Sequence, residues 1–143
     1  MRSLHIIYLE ATQWGWTVDP EGLRIVLNMI YNRFELPIYV LESGVGVRES
    51  LDENKTVEDD YRIDYLRRQI EAVEAACAQD GVDVRSFLTW APIDILSSRG
   101  EMAKRYGFIY VDRDEEGNGD MKRYKKKSFD WYRQVIESNG EKL

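Results

Sequence analysis

The sequence predicts a parallel α/β fold, and three observations carry that prediction. Ile38-Tyr39-Val40-Leu41 is a short apolar run with no polar alternation, the pattern of a strand buried on both faces. Ile63, Leu66, Ile70, Val73 and Cys77 follow it at helical spacing. Val84 to Trp90 then supplies a second strand. Strand, helix, strand at this spacing is a crossover that sets the two strands parallel and side by side.

The elements follow in chain order. Asp19 before Pro20 is an N-cap with proline in the first turn, and Leu23, Val26, Leu27, Ile30 and Phe34 recur at helical spacing, so residues 20 to 35 are a helix. Pro37 breaks it, and the first strand ends at a carboxylate, Glu42, with Gly44 and Gly46 close behind. A loop of mixed charge from about 43 to 57 leads to the second helix, which stops near the Gly81 breaker. After Trp90 and Pro92 come a long connection over 93–107, an apolar stretch from Phe108 to Val111, and an acidic glycine loop from Asp112 to Asp120. Phe129, Tyr132, Val135 and Ile136 suit a last helix. Ligands of parallel α/β sheets sit at the carboxyl ends of the strands, where loops vary over a fixed frame. Glu42, Trp90 and the 93–107 loop therefore form one candidate site.

Composition removes several function classes. The 143 residues are 43% hydrophobic and 32% charged, with 20 basic against 26 acidic side chains and a net charge of −6. That balance argues against a nucleic-acid binder, which needs positive surface to neutralise phosphates. No apolar run approaches the ~20 residues of a membrane helix, and Arg2 and His5 do not begin a signal peptide. Cys77 is the one cysteine and His5 the one histidine, so neither an internal disulfide nor a Cys/His zinc site is expected. The chain reads as cytoplasmic, with no metal and no cofactor. No repeat or low-complexity segment divides it, so 1–143 is treated as one unit.

Several segments together carry a family resemblance: Trp14-Gly15-Trp16 ahead of Asp19-Pro20-Glu21-Gly22-Leu23-Arg24, the strand from Ile38 to Gly46, Asp59-Asp60-Tyr61-Arg62-Ile63, Phe87-Leu88-Thr89-Trp90, and Lys104-Arg105-Tyr106-Gly107-Phe108-Ile109-Tyr110-Val111. In order and spacing, from about Tyr8 to the C-terminus, they resemble glycoside hydrolase family 1, and within it the bacterial 6-phospho-β-glucosidases. The resemblance implies a retaining glycosidase on a (β/α)8 barrel, of which this chain would be a single partial domain holding the last two βα units. A complete barrel takes roughly 250 residues.

The resemblance also assigns roles. The family nucleophile, the glutamate of a Glu-Asn-Gly motif ending the seventh strand, falls on Glu42; the asparagine is Ser43 here and the glycine is Gly44. Its acid/base partner lies in an Asn-Glu-Pro motif that does not occur in residues 1–143. Trp90 matches the tryptophan that forms an apolar platform near the sugar. Where the non-phosphorylated branch has a glutamate and a tryptophan seven residues further on, this chain has Ser97 and Ser98. A carboxylate near O6 repels a phosphate dianion, whereas a serine hydroxyl donates to it. The phospho branch pairs that serine with a lysine and a tyrosine, and Ser97, Lys104 and Tyr106 have the matching spacing. Arg99 adds nearby charge with no family position behind it, and the small Ser98 favours a gluco or broader preference.

The reading is the C-terminal part of a 6-phospho-β-glucosidase, with little or no turnover by this chain alone. Its partners would be 6-phosphorylated β-glucosides, and either the missing N-terminal barrel portion or a second copy, because two parallel strands leave both sheet edges and apolar helix surface unpaired. The alternatives are a non-catalytic remnant or split subunit that binds sugar phosphate, and a small doubly wound binding domain. Ser43-Gly44-Val45-Gly46 lacks the GxGxxG pattern the last would need. Three features read as structural. Asp112, Asp114, Glu116 and Gly117 imitate an EF-hand start but place Arg123 at its twelfth position, so a polar hairpin turn is expected. The basic run Lys122 to Lys127 reads as a solvated face. Cys77, on the apolar stripe of its helix, reads as a buried structural thiol.

Overall fold

The structure, a computed structural model, describes residues 8–143; His5 lies outside them. Helix α1 (Pro20–Phe34) begins as its cap predicts, with the Asp19 carboxylate accepting the Gly22 N–H at 2.8 Å. It ends when Glu35 turns into the left-handed region (φ 50°) and donates its N–H to the Tyr31 carbonyl. Strand β1 (Ile38–Ser43) runs past the apolar stretch to include Glu42. Helix α2 (Asp60–Ala78) then crosses over, and Gly81 (φ +74°) makes the turn into β2 (Val84–Thr89). The two strands pair in parallel, Ile38 opposite Val84 and Ser43 opposite Thr89.

Ile38, Val40 and Val84 pack with Leu23, Tyr31 and Val73 against Leu27, Ala76 and Val82, where α1 and α2 cover one face of the sheet. Arg24 closes the edge of this core with a bidentate pair to Asp80 at 2.7 Å. The intervening β1 residues Tyr39 and Leu41 are 60% and 68% exposed. The expectation of a strand buried on both faces is therefore corrected: helices cover one face, and no described residue covers the other. Met29, Phe34 and Leu36 are exposed as well.

Past β2 the chain forms a small second layer. Ile93 bridges in parallel to Ile109 at the start of β3 (Ile109–Val111), which pairs antiparallel with β4 (Arg123–Lys125). The acidic glycine segment between them is a hairpin connection, as expected, closed by Asp114 accepting from the Asn118 backbone N–H at 2.7 Å. Helix α3 (Lys127–Glu137) returns across it, with Tyr132 stacked on Phe108 at 4.6 Å.

Two structural readings need correction. Cys77 is half-buried. The run Lys122 to Lys127 is not one solvated face, because Lys126 is 1% exposed and pairs with Glu49 and Asp94. Among the described residues no helix is long and apolar enough to cross a membrane.

Candidate active site

The parallel pairing of β1 and β2 brings their carboxyl ends together. The Trp90 N–H donates to the Ser43 carbonyl at 2.8 Å, placing Glu42 and Trp90 at one end of the sheet. Gly44 completes the junction, since a Cβ there would run into the Trp90 carbonyl oxygen. Gly44→Ala is expected to lower stability by about 1–3 kcal/mol, the range for forcing an extra methyl into packed space. Urea denaturation checks it, and an unchanged midpoint would show that the two backbones are not held so closely.

An open cleft of about 500 Å³ lies here, lined by Glu42, Gly44, Trp90, Trp16, Ser98 and Tyr106 among others. Glu42 is exposed and, among the described residues, is the cleft's one lining carboxylate. Trp90, 40% exposed, supplies a flat apolar wall. A larger groove of about 560 Å³ runs between residues 10–18 and α2, but its Glu10, Asp64 and Arg68 are joined in surface ion pairs, and none of the sequence-predicted site residues lines it. The first cleft is the one lined by the sequence-predicted Glu42, Trp90 and Tyr106.

The remaining site residues lie close to this cleft in different ways. Tyr106 lines it. The Lys104 ammonium lies behind two of its walls, 3.5 Å from the Trp16 ring centroid and 5.6 Å from that of Tyr106. Ser97 is turned into its own loop: its hydroxyl donates to the Glu101 carboxylate at 3.3 Å and accepts the Glu101 N–H at 3.1 Å. Its neighbour Ser98 is the serine that lines the cleft. The proposed trio is thus gathered in one region, with the Ser97 hydroxyl engaged. Among the described residues no group of three or more His, Cys, Asp or Glu side chains is placed to hold a metal ion.

A buried charge network, missed at the level of sequence, holds the two loops that build the cleft. Arg62 at the start of α2 donates to the carbonyls of Val45 and Tyr106, both at 2.8 Å, and pairs with Asp59 and Glu49. Lys126 pairs with Glu49 and Asp94, and Arg105 pairs with Asp94 at 3.0 Å. Asp59 also accepts from the backbone and hydroxyl of Ser128. Burial pushes the Lys126 ammonium down from its ordinary value, and the Arg62 charge adds to that. An antiparallel bridge between Val47 and Arg105 ties the same loops through their backbones. The one sequence signal was Arg62 three residues after Asp59 at a helix start, a spacing that permits an ion pair.

Comparison with known proteins follows the same geometry. The family model for glycosyl hydrolase family 1 matches residues 3–141. The chain is 54% identical over 138 residues to the aryl-phospho-beta-D-glucosidase BglH of Bacillus subtilis (strain 168), covering 95% of this chain and 29% of that protein. It is 49% identical over 144 residues to the 6-phospho-beta-glucosidase AscB of Escherichia coli (strain K12), covering 100% and 30%. The family 1 β-glucosidase of Thermotoga maritima, solved with isofagomine lactam, superposes with a TM-score of 0.85 at 30% identity, over 96% of this chain and 30% of that one. The chain therefore spans about 30% of the length of the relatives it matches.

Proposed function

The chain belongs to glycosyl hydrolase family 1, with the α/β architecture of the C-terminal portion of its barrel, and from that premise we propose that it is the nucleophile-bearing part of a retaining 6-phospho-β-glucosidase. The observation that carries this reading is the single cleft shared by Glu42, Trp90 and Tyr106, with the Lys104 ammonium close behind it.

In the assembled barrel, the Glu42 carboxylate attacks the anomeric carbon and forms a glycosyl-enzyme intermediate while a second carboxyl group about 5 Å away protonates the departing glycosidic oxygen. The same group then removes a proton from the water that releases the sugar. No Asn-Glu-Pro motif occurs in residues 1–143 and no second carboxylate lines the cleft among the described residues, so that second group is assigned to the rest of the barrel. The indole of Trp90 stacks on the C–H face of the pyranose. Lys104 meets the 6-phosphate with a point charge, and Tyr106 and a serine of the 97–98 pair donate hydrogen bonds. Ser98 lines the cleft, and the Ser97 hydroxyl is engaged by the Glu101 carboxylate.

The test of substrate class is binding of glucose 6-phosphate against glucose, by titration calorimetry at fixed salt. Lys104→Met is expected to weaken glucose 6-phosphate about ten- to a hundredfold, the loss of one hydrogen bond to a charged group, and to leave glucose unchanged. Equal effects on both sugars would overturn phosphate recognition. The exposed apolar face at Tyr39 and Leu41 supports a second reading, a subunit whose role is to complete a barrel made with another polypeptide. Sedimentation of the chain alone and with such a barrel portion separates self-association from that complementation.

A further inference from the structure

Two lysines among the described residues are almost wholly buried, and they are stabilised in opposite ways. Lys126 (1% exposed) lies between the carboxylates of Glu49 and Asp94. Lys104 (5% exposed) has no carboxylate partner among the described residues. Its ammonium instead sits 3.5 Å from the centroid of the Trp16 ring, with the rings of Trp14 and Tyr106 at 5.3 and 5.6 Å. A carboxylate is within the same region, but it is occupied: Glu101 accepts from the Trp14 indole N–H at 3.4 Å and from the Ser97 hydroxyl.

The difference has a chemical meaning. A carboxylate partner neutralises a buried ammonium but takes up its N–H donors and repels an incoming anion. An aromatic face stabilises the cation through its quadrupole and accepts no strong hydrogen bond, so the donors remain available. The backbone is shaped to this arrangement. A Cβ on Gly46 would fall 2.6 Å from Cγ and 3.0 Å from Cε of Lys104, and 3.1 Å from the Tyr106 ring. Only a residue without a side chain lets the lysine stem lie there. The turn that presents Trp16 is closed locally, by the Trp16 carbonyl accepting from Thr12 at 2.7 Å and the Trp16 N–H donating to the Thr12 hydroxyl at 3.1 Å.

We propose that Trp16 is a positioning residue for anion recognition: its indole face, over the space left by Gly46, holds the Lys104 ammonium dehydrated and without a counter-ion, ready for a phosphate monoester at the Tyr106 wall of the cleft. This rests on the phosphate reading of the site and adds the device that keeps the cation available. Because the lysine has already shed its water, a phosphate finds it without first displacing a hydration shell or a competing carboxylate.

The test uses the full chain with glucose 6-phosphate and glucose as probes. Trp16→Leu, which stays apolar and removes the π face, is expected to weaken glucose 6-phosphate about tenfold more than it weakens glucose, in line with a partly desolvated cation–π contact. Trp16→Phe restores part of the loss. In parallel, the Lys104 Hε protons are expected to resonate upfield through the indole ring current in the wild-type chain, to move to ordinary positions in Trp16→Leu, and to stay partly shifted in Trp16→Phe. That readout does not depend on ligand. If Lys104→Met weakens glucose 6-phosphate while Trp16→Leu leaves it unchanged or tightens it, the positioning role is overturned and the phosphate site stands. If Lys104→Met has no effect, or the wild-type chain does not bind glucose 6-phosphate, both fall.

Discussion

Purified alone, the chain is expected to release nitrophenol from p-nitrophenyl β-glucoside 6-phosphate no faster than its Glu42→Gln variant. Given a polypeptide that supplies the upstream strands of the family barrel, it is expected to turn over the phosphorylated substrate, and Glu42→Gln is expected to abolish that activity. The reason is a missing partner at an otherwise prepared site. Glu42 is exposed in a cleft with no second lining carboxylate, so the leaving oxygen would depart without a proton. General acid assistance is commonly worth about 100- to 10,000-fold, and the sugar contacts from the rest of the barrel would be absent as well. The proposed nucleophile directly adjoins a junction made within this chain, by the Trp90–Ser43 hydrogen bond and the close approach at Gly44. Turnover by the chain alone, lost in Glu42→Gln and confined to the phosphorylated substrate, would show that copies of it assemble a working site without the upstream strands.

How much of this was legible in the sequence depended on how far apart the interacting residues lie. The first helix was written locally: Asp19, Pro20 and the apolar period define it, and the structure differs by a single residue at its end. The crossover was legible for the same reason, as was the placing of Glu42 and Trp90 at one edge. The apolar run of β1 was legible as a strand but not as one buried on both faces, since Tyr39 and Leu41 are exposed and no described residue covers them. Ser97 shows the limit of spacing. Family spacing grouped it with Lys104 and Tyr106, but spacing does not record that Glu101, four residues on, takes its hydroxyl. Lys126 shows the limit of composition, since it stands among basic neighbours and finds Glu49 across 77 positions of chain. Trp16 was noted only within a motif; its place beneath Lys104 needs two loops 88 positions apart to meet, and no local signal encodes that.

Lys126 also carries the largest expected effect on stability. Arg62, Arg105 and Lys126 face Glu49, Asp59 and Asp94, three charges of each sign, with every side chain at most 4% exposed. Replacing Lys126 by methionine keeps the length and leaves Glu49 and Asp94 with one cation fewer. Removing one member of a buried pair costs about 3–5 kcal/mol, because the remaining charge is stranded away from water. Lys127→Met is the internal control: Lys127 pairs with Glu58 at 3.1 Å and Asp60 at 2.9 Å, but it is 45% exposed, and such pairs are worth about 0–1 kcal/mol. Urea denaturation of both variants is expected to separate them by several kcal/mol, with trimethylamine oxide added should Lys126→Met unfold in buffer. Equal losses would refute the network's role. The consequence reaches the site, because Glu49 joins Lys126 to Arg62, and Arg62 holds the carbonyls of Val45 and Tyr106 on the two sides of the cleft. Loosening the lysine therefore loosens the frame that holds the segments following β1 and preceding β3 together across the cleft.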